Sequence, residues 1–231
     1  MKILKDSWLV FDNETDLSEV LAQEILSIAK KSIFKKGDFS LVLTGGKSVL
    51  TLYKILSKSN ANWNKWHIYM SDERCVPIGH KDRGDQVINE IWLDNCTIPK
   101  KNIHFIKTEV GLIEAQKEYE KVLKKINKFD VVLLSIGKDG HISSLFPGHV
   151  YPENRDVIIE RNSPKLPMER ISMSYNRLNK ANNIFKIIIG ELKQPLVKKL
   201  LENKVFPANA VIGKREKIFI HNNAIPKKDK P

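Results

Sequence analysis

Cysteine is scarce: Cys75 and Cys96 are the two in 231 residues, too few for a disulfide framework and without metal-ligand spacing, so both read as reduced thiols. The six histidines form neither an H-E-x-x-H motif nor a cluster with carboxylates, and no metal or other cofactor is expected. Long apolar runs are missing too, none approaching the roughly 18 residues of a membrane span. Lys2, Lys5 and Asp6 interrupt the only apolar residues near the start, which argues against a secretory signal. The expected compartment is therefore the cytoplasm, with no membrane partner. Internal repeats, low-complexity tracts and long linkers are absent as well. Acidic residues are in deficit, 27 against 39 Lys and Arg, for a net charge of +12. Such a surface attracts anionic small molecules and equally suits RNA or an acidic membrane. The lysines are scattered and no aromatic-basic motif accompanies them, so no nucleic-acid partner is expected. The lysines within 121–128 and 198–204 read as exposed helix faces.

What is present is an alternation of strand and helix patterns. Apolar strands are expected at Phe39–Leu43, Trp66–Met70, Phe129–Ile136 and Ile184–Ile189. Between them, Asp16 and Glu19 resemble a capping box opening a helix with apolar positions Leu17, Val20, Leu21, Ile25 and Ile28. A second helix is expected from Leu112 through Tyr119 to Ile126. This order predicts an α/β fold with a parallel sheet covered on both faces by helices. The length and a 42% hydrophobic content suit a single domain spanning 1–231, with a short, basic and flexible tail at 224–231.

Three strand exits carry chemistry. The run Phe129–Ile136 stops at Gly137-Lys138-Asp139-Gly140-His141, where the glycines allow a sharp turn that aims Asp139 and His141 outward. A histidine with a carboxylate two residues away suits a general base, although so short a motif equally suits a structural loop. The strand ending at Leu43 meets Thr44-Gly45-Gly46-Lys47-Ser48 and a helical pattern that begins at Ser48, which is either a plain turn or an anion site. The Walker spacing is absent there. The third exit is Asp72-Glu73-Arg74-Cys75-Val76-Pro77, whose charges are either solvated or part of the same cleft. In open sheets, ligands bind beyond the carboxyl ends of the strands.

Together these loops resemble the family of 6-phosphogluconolactonases and glucosamine-6-phosphate isomerases/deaminases. Thr44-Gly45-Gly46 is similar to its SGGST, Asp72–Pro77 to its DERxVP, and Asp139–Gly148 to its DGHTASLFPG. Downstream, Ser163–Ser172 resembles APKPPPERIT, Gly190–Lys193 resembles GxxK, and Pro207-Ala208 matches a PA dipeptide. The likeness covers roughly residues 10 to 220 and implies a Rossmann-like three-layer α/β/α sandwich with a mostly parallel sheet. It further implies an enzyme acting on a small phosphosugar, as a monomer or homodimer. The deaminase branch carries a Glu, two residues before Gly, as a proton relay; here Phe146 takes that place, and Arg74 stands where deaminases have Tyr. The lactonase branch is therefore the expected one, with a deaminase-like enzyme or a non-catalytic sugar-phosphate-binding protein as alternatives. In that branch His141, oriented by Asp139, activates water, while Arg74 and Lys193 contact the phosphate or developing charge beside Thr44–Ser48 and Asp72. This chain departs from the pattern at Lys47-Ser48-Val49, where lactonases commonly have Ser-Thr-Pro, and at Asp82-Arg83-Gly84, where they have Asp-Ser-Asn. Ser48 retains a hydroxyl and Lys47 adds a charge. Arg83 is either a substitute phosphate contact or an exposed loop cation.

Overall fold

In the computed structural model, which describes residues 2–5 and 7–230, the elements follow in the order β1 (Lys2–Lys5), β2 (Trp8–Phe11), α1 (Glu14–Lys36), β3 (Phe39–Leu43), α2 (Leu50–Ser57), β4 (Trp66–Met70), β5 (Asp72–Arg74), α3 (Gly84–Ile91) and β6 (Ile103–His104). After these come α4 (Leu112–Leu123), β7 (Phe129–Ser135), β8 (Val157–Glu160), β9 (Arg170–Met173), α5 (Tyr175–Asn179), β10 (Ala181–Ile188), α6 (Gln194–Leu201), α7 (Pro207–Ala210) and β11 (Arg215–His221).

Eight strands form one sheet in the order β1-β2-β11-β10-β7-β3-β4-β6. The β1–β2 pair is antiparallel and every other pairing in that sheet is parallel. The central strands β3 and β7 are apolar and buried almost throughout, as strands covered on both faces must be. On one face, Trp66 of β4 packs with Trp63 and Trp92, and Trp92 stacks on Tyr53 of α2. On the other, Tyr119 of α4 exchanges hydrogen bonds with the Met70 backbone. The three-layer α/β/α arrangement is thus the expected one. A smaller antiparallel sheet, β5-β9-β8, sets Asp72 opposite Ser172 and Arg74 opposite Arg170.

Helix α1 begins earlier than the expected Asp16 start. Its cap is Asn13, whose side-chain oxygen accepts the Asp16 N–H at 2.8 Å, and it ends where Gly37 takes φ 91° and returns its N–H to Ile33. The apolar run 129–136 contains one buried acid. Asp130 accepts from Ser40 N–H at 2.8 Å, Ser40 Oγ at 2.9 Å and Ser32 Oγ at 3.0 Å, and pairs with Lys36 at 3.0 Å, joining α1, β3 and β7 at the amino end of the sheet. The basic tail also needs correction at its start, since Ala224 and Ile225 are fully buried in the core. The lysines at 121, 124, 125, 128, 198, 199 and 204 are exposed, as expected. No helix among the described residues is long and apolar enough to cross a membrane. Among the described residues no group of three or more His, Cys, Asp or Glu is placed to hold a metal.

Candidate active site

From β3 the chain steps outward through β4 to β6, whereas from β7 it steps the other way through β10 to β11. The sheet therefore reverses between the adjacent strands β3 and β7, and a crevice opens at their carboxyl ends, where α/β folds bind ligands. The Thr44–Ser48 turn leaves β3 there and the Gly137–His141 loop leaves β7. Thr44, Gly45, Gly46, Asp72, Glu73, Arg74, Gly137, His141, Ser143, Arg170 and Lys193 are among the residues lining a cleft of about 150 Å³.

His141 is held by its own loop. Its Nδ1 makes a short hydrogen bond to Asp139 Oδ1, and the two backbone bonds Gly140 N–H to Gly137 O and Gly137 N–H to His141 O, both 2.9 Å, close the turn. With the Nδ1–H donating a hydrogen bond to the Asp139 carboxylate, Nε2 carries the imidazole lone pair. A Cβ at Gly137 would lie 1.9 Å from His141 Cε1, so only glycine leaves room for the ring. Gly140 takes φ 85° with Phe206 packed against it. Phe146 lies tilted against the His141 ring, centroids 4.9 Å apart. Lys165 Nζ stands 3.4 Å from Asp139 Oδ1 and 3.1 Å from His141 Nδ1. Burial opposes ionisation of Asp139, but the hydrogen bond and charge of His141, together with Lys165, outweigh it and hold the carboxyl well below its usual range.

The opposite wall is cationic. Tyr53 clips the Thr44 turn, donating to Thr44 O at 2.7 Å and accepting its N–H at 3.3 Å. A Cβ at Gly45 or Gly46 would meet nothing within 4 Å, and Gly46 takes φ 102°, so bare backbone faces open space above this turn. Arg74 donates to Asp82 O at 2.7 Å. Lys193 is set by the turn after β10, its N–H donating to Gly190 O at 3.0 Å; its ammonium makes no hydrogen bond or ion pair with the described residues, and burial and the charge of Lys165 push it down to about 8. Asp72 is fixed by Ser71 Oγ at 2.9 Å and Ser144 Oγ at 2.7 Å. Beneath it Glu73, almost fully buried, accepts the N–H groups of Arg74, Gly84 and Asp85, tying β5 to the start of α3. Burial raises its carboxyl to about 7 against those three donors.

Of the residues singled out in the sequence, His141, Arg74, Thr44, Gly45, Gly46, Asp72 and Lys193 line the one cleft, with Asp139 behind His141. Lys47 and Ser48 lie on the turn beyond it, Lys47 exposed. Arg83 is neither an exposed cation nor free for a phosphate. It is 4% exposed, and its guanidinium is taken by Asp85, Glu109, Thr108 Oγ1 and the Val76 carbonyl, a desolvated cation surrounded by acceptors. Sequence reasoning passed over three residues. Arg170 lines the cleft and donates to the carbonyls of Lys165 and Pro167, fixing the loop that delivers Lys165. Both stand inside the APKPPPERIT-like segment, which was a signal for them. Ser143 stands likewise inside the DGHTASLFPG-like segment; it adopts φ 50°, and its buried Oγ has no hydrogen-bond partner.

The model of the family described as glucosamine-6-phosphate isomerases/6-phosphogluconolactonase matches residues 12–220. A probable chloroplastic 6-phosphogluconolactonase 4 of Oryza sativa subsp. indica is 33% identical over 215 residues, covering 85% of this chain and 66% of the rice protein, so the chain spans just under two thirds of that relative. The 6-phosphogluconolactonase of Thermotoga maritima is 27% identical over 206 residues, covering 87% of this chain and 92% of its own. A crystal structure of a Thermotoga maritima 6-phosphogluconolactonase superposes with a TM-score of 0.87 at 25% identity, over 93% of this chain and 98% of the other. A monomeric glucosamine-6-phosphate deaminase superposes at 0.82 with 20% identity, over 94% and 98%, so the fold is common to both activities. Loops, sheet reversal and sequence agree, and the chain belongs to the glucosamine-6-phosphate isomerase/6-phosphogluconolactonase family.

Proposed function

We propose that this protein hydrolyses 6-phospho-D-glucono-1,5-lactone to 6-phospho-D-gluconate, the hydrolytic step of the oxidative branch of the pentose phosphate pathway. The observation that carries the reading is the pairing, within one cleft, of an Asp139-held His141 with the partnerless, desolvated ammonium of Lys193. The first is a base with its lone pair free; the second is a cation that lacks an anion. Phe146 supports the lactonase over the deaminase branch, because an aromatic ring lies against His141 where ring opening of an aminosugar calls for a proton-relaying carboxylate.

In this reading His141 Nε2 takes a proton from water as the hydroxide oxygen bonds to C1 of the lactone. The carbonyl electrons move onto its oxygen and return as the bond from C1 to the ring oxygen breaks. The imidazolium, stabilised by ionised Asp139, delivers its proton to the departing ring oxygen, leaving a carboxylic acid and a free hydroxyl. General acid-base assistance of this kind supplies about 10² to 10⁴ in rate. Lys193, Arg74 and the bare backbone at Gly45-Gly46 hold the phosphate, and that distant anchor orients C1 toward His141.

The test is hydrolysis of freshly generated lactone, coupled to oxidation of the product, for wild type and His141→Ala with the spontaneous rate subtracted. Turnover lost in the variant supports both reaction and base. Full turnover in the variant removes His141 from the mechanism, and no turnover in wild type removes the lactonase reading.

A further inference from the structure

Lys186 sits in the middle of β10 with 2% of its side chain exposed, flanked along the strand by buried Ile184 and Ile188. An ammonium in such a place is retained only when its protons are satisfied. Here Nζ donates to Glu216 Oε1 of β11 at 2.7 Å and to the carbonyl oxygen of Ala208 at 2.6 Å. The second bond leads to the catalytic loop. Ala208 lies in the four-residue helix α7, and the Ile212 N–H that a longer helix would return to Ala208 is instead given to Asn179 Oδ1 at 2.7 Å. Lys186 thus supplies the donor that the truncated helix lacks. The N–H of Ala208 in turn donates to the Gly140 carbonyl at 3.2 Å, and the Phe206 ring packs so closely on Gly140 that a Cβ there would come within 2.4 Å of it.

We propose that Lys186 is a positioning residue for the His141 loop, anchoring the Phe206–Ala208 turn to the sheet so that this turn braces Gly140 from behind. The loop has two sides. Its inner side carries Asp139 and His141, and its outer side rests on a segment whose own backbone bonding is incomplete without the lysine. Loss of the lysine lets that segment, and with it Gly140, relax away from the cleft, while Arg74, Lys193 and the Thr44 turn are attached elsewhere.

The experiment compares wild type with Lys186→Met, which keeps the length of the stem, and with Lys186→Met/Glu216→Gln, which leaves no unpaired buried charge and carries the test if the single variant misfolds. The kinetic readout rests on the lactonase reading. In the folded variant kcat falls by about 10- to 100-fold, while KM changes by less than about 3-fold, because uniform substrate binding is untouched. The second readout does not depend on turnover: the proton–nitrogen signals of the His141 imidazole shift between wild type and variant, with those of His67 and His104, at the far end of the sheet, as unmoved controls. Wild-type kcat together with unmoved His141 signals in the double variant overturns the proposal. A wild type without lactonase activity refutes the proposed function, and the imidazole signals alone then decide for or against Lys186.

Discussion

Gly137→Ala isolates how tightly the His141 loop is built. Gly137 does not need a left-handed backbone, so the added methyl acts through space alone. Its Cβ would stand 1.9 Å from His141 Cε1, 2.1 Å from Nδ1 and 2.8 Å from Asp139 Oδ1. An ordinary contact begins near 3.4 Å, so the imidazole must retreat by about 1.5 Å, and in doing so it leaves Asp139. Misplacement of about 1 Å costs on the order of 10²-fold in rate, or about 2.7 kcal/mol of barrier. The expected result is a kcat at least about 100-fold below wild type in the coupled lactone assay. Affinity for 6-phosphogluconate, measured by calorimetry, stays within about 3-fold, because Lys193, Arg74 and the Gly45-Gly46 turn do not touch Gly137. A folded Gly137→Ala protein with kcat within 3-fold of wild type would falsify the assignment of His141 as the base in this geometry.

Two further outcomes follow from the charges. The Lys193 ammonium, lowered to about 8, is protonated below that pH and neutral above it, so 6-phosphogluconate binding by the free protein weakens as pH rises through about 8. Lys193→Met removes this dependence and about 1.5–3 kcal/mol of affinity; a variant that keeps the wild-type pH profile contradicts the role. The stability sign is opposite to the binding sign: the folded state holds fewer protons than the unfolded chain between about pH 8 and 10.5, so this group's contribution to stability rises across that window. At the other end of the sheet, Asp130→Ala strands the Ser40 N–H and hydroxyl and the Ser32 hydroxyl, while Lys36 keeps Asp38. Urea unfolding is expected to show a loss of about 1–3 kcal/mol with kcat unchanged, and no measurable loss would mean that the network does not hold α1 to the sheet.

The parts of the fold that were legible in the sequence are those where local pattern and burial coincide. Strands β3 and β4 match the expected Phe39–Leu43 and Trp66–Met70, and β7 and β10 differ at their ends alone, because continuous Val, Ile and Leu runs suit strands covered on both faces. Strands β1, β2, β5, β6, β8, β9 and β11 were missed: all but β11 have four residues or fewer, and β11 opens on three charged residues, patterns too short or too mixed to stand out from surrounding loops. The Asp16 start of α1 was misplaced because Asn13 and Asp16 both suit a cap, and only the backbone shows which of them accepts the free N–H. Arg83 was misread for a related reason. Its acceptors come from Asp85 close by, but also from Thr108 and Glu109, a full loop away.

The candidate site divides along the same line. Gly137, Gly140, Asp139 and His141 form one short loop whose internal hydrogen bonds span at most four residues, so local chain chemistry sets their contact, while the bond from the Ala208 N–H to the Gly140 carbonyl comes from far along the chain. The Gly-Gly turn after β3 was equally local. The sequence could not place Lys165, Arg170 and Lys193 beside them, nor show that Lys186 reaches the Ala208 carbonyl, because those contacts join strands far apart in the chain. The parallel pairing β3–β7–β10–β11 brings Lys193 to the edge where the carboxyl ends of its strands lie, and the antiparallel β5-β9-β8 sheet sets Arg170, with the Lys165 loop before it, opposite Arg74. A single residue type carries no record of that register; sheet pairing and desolvation leave one lysine ammonium without an anion, tie another to the Ala208 carbonyl, and leave most of the rest in water.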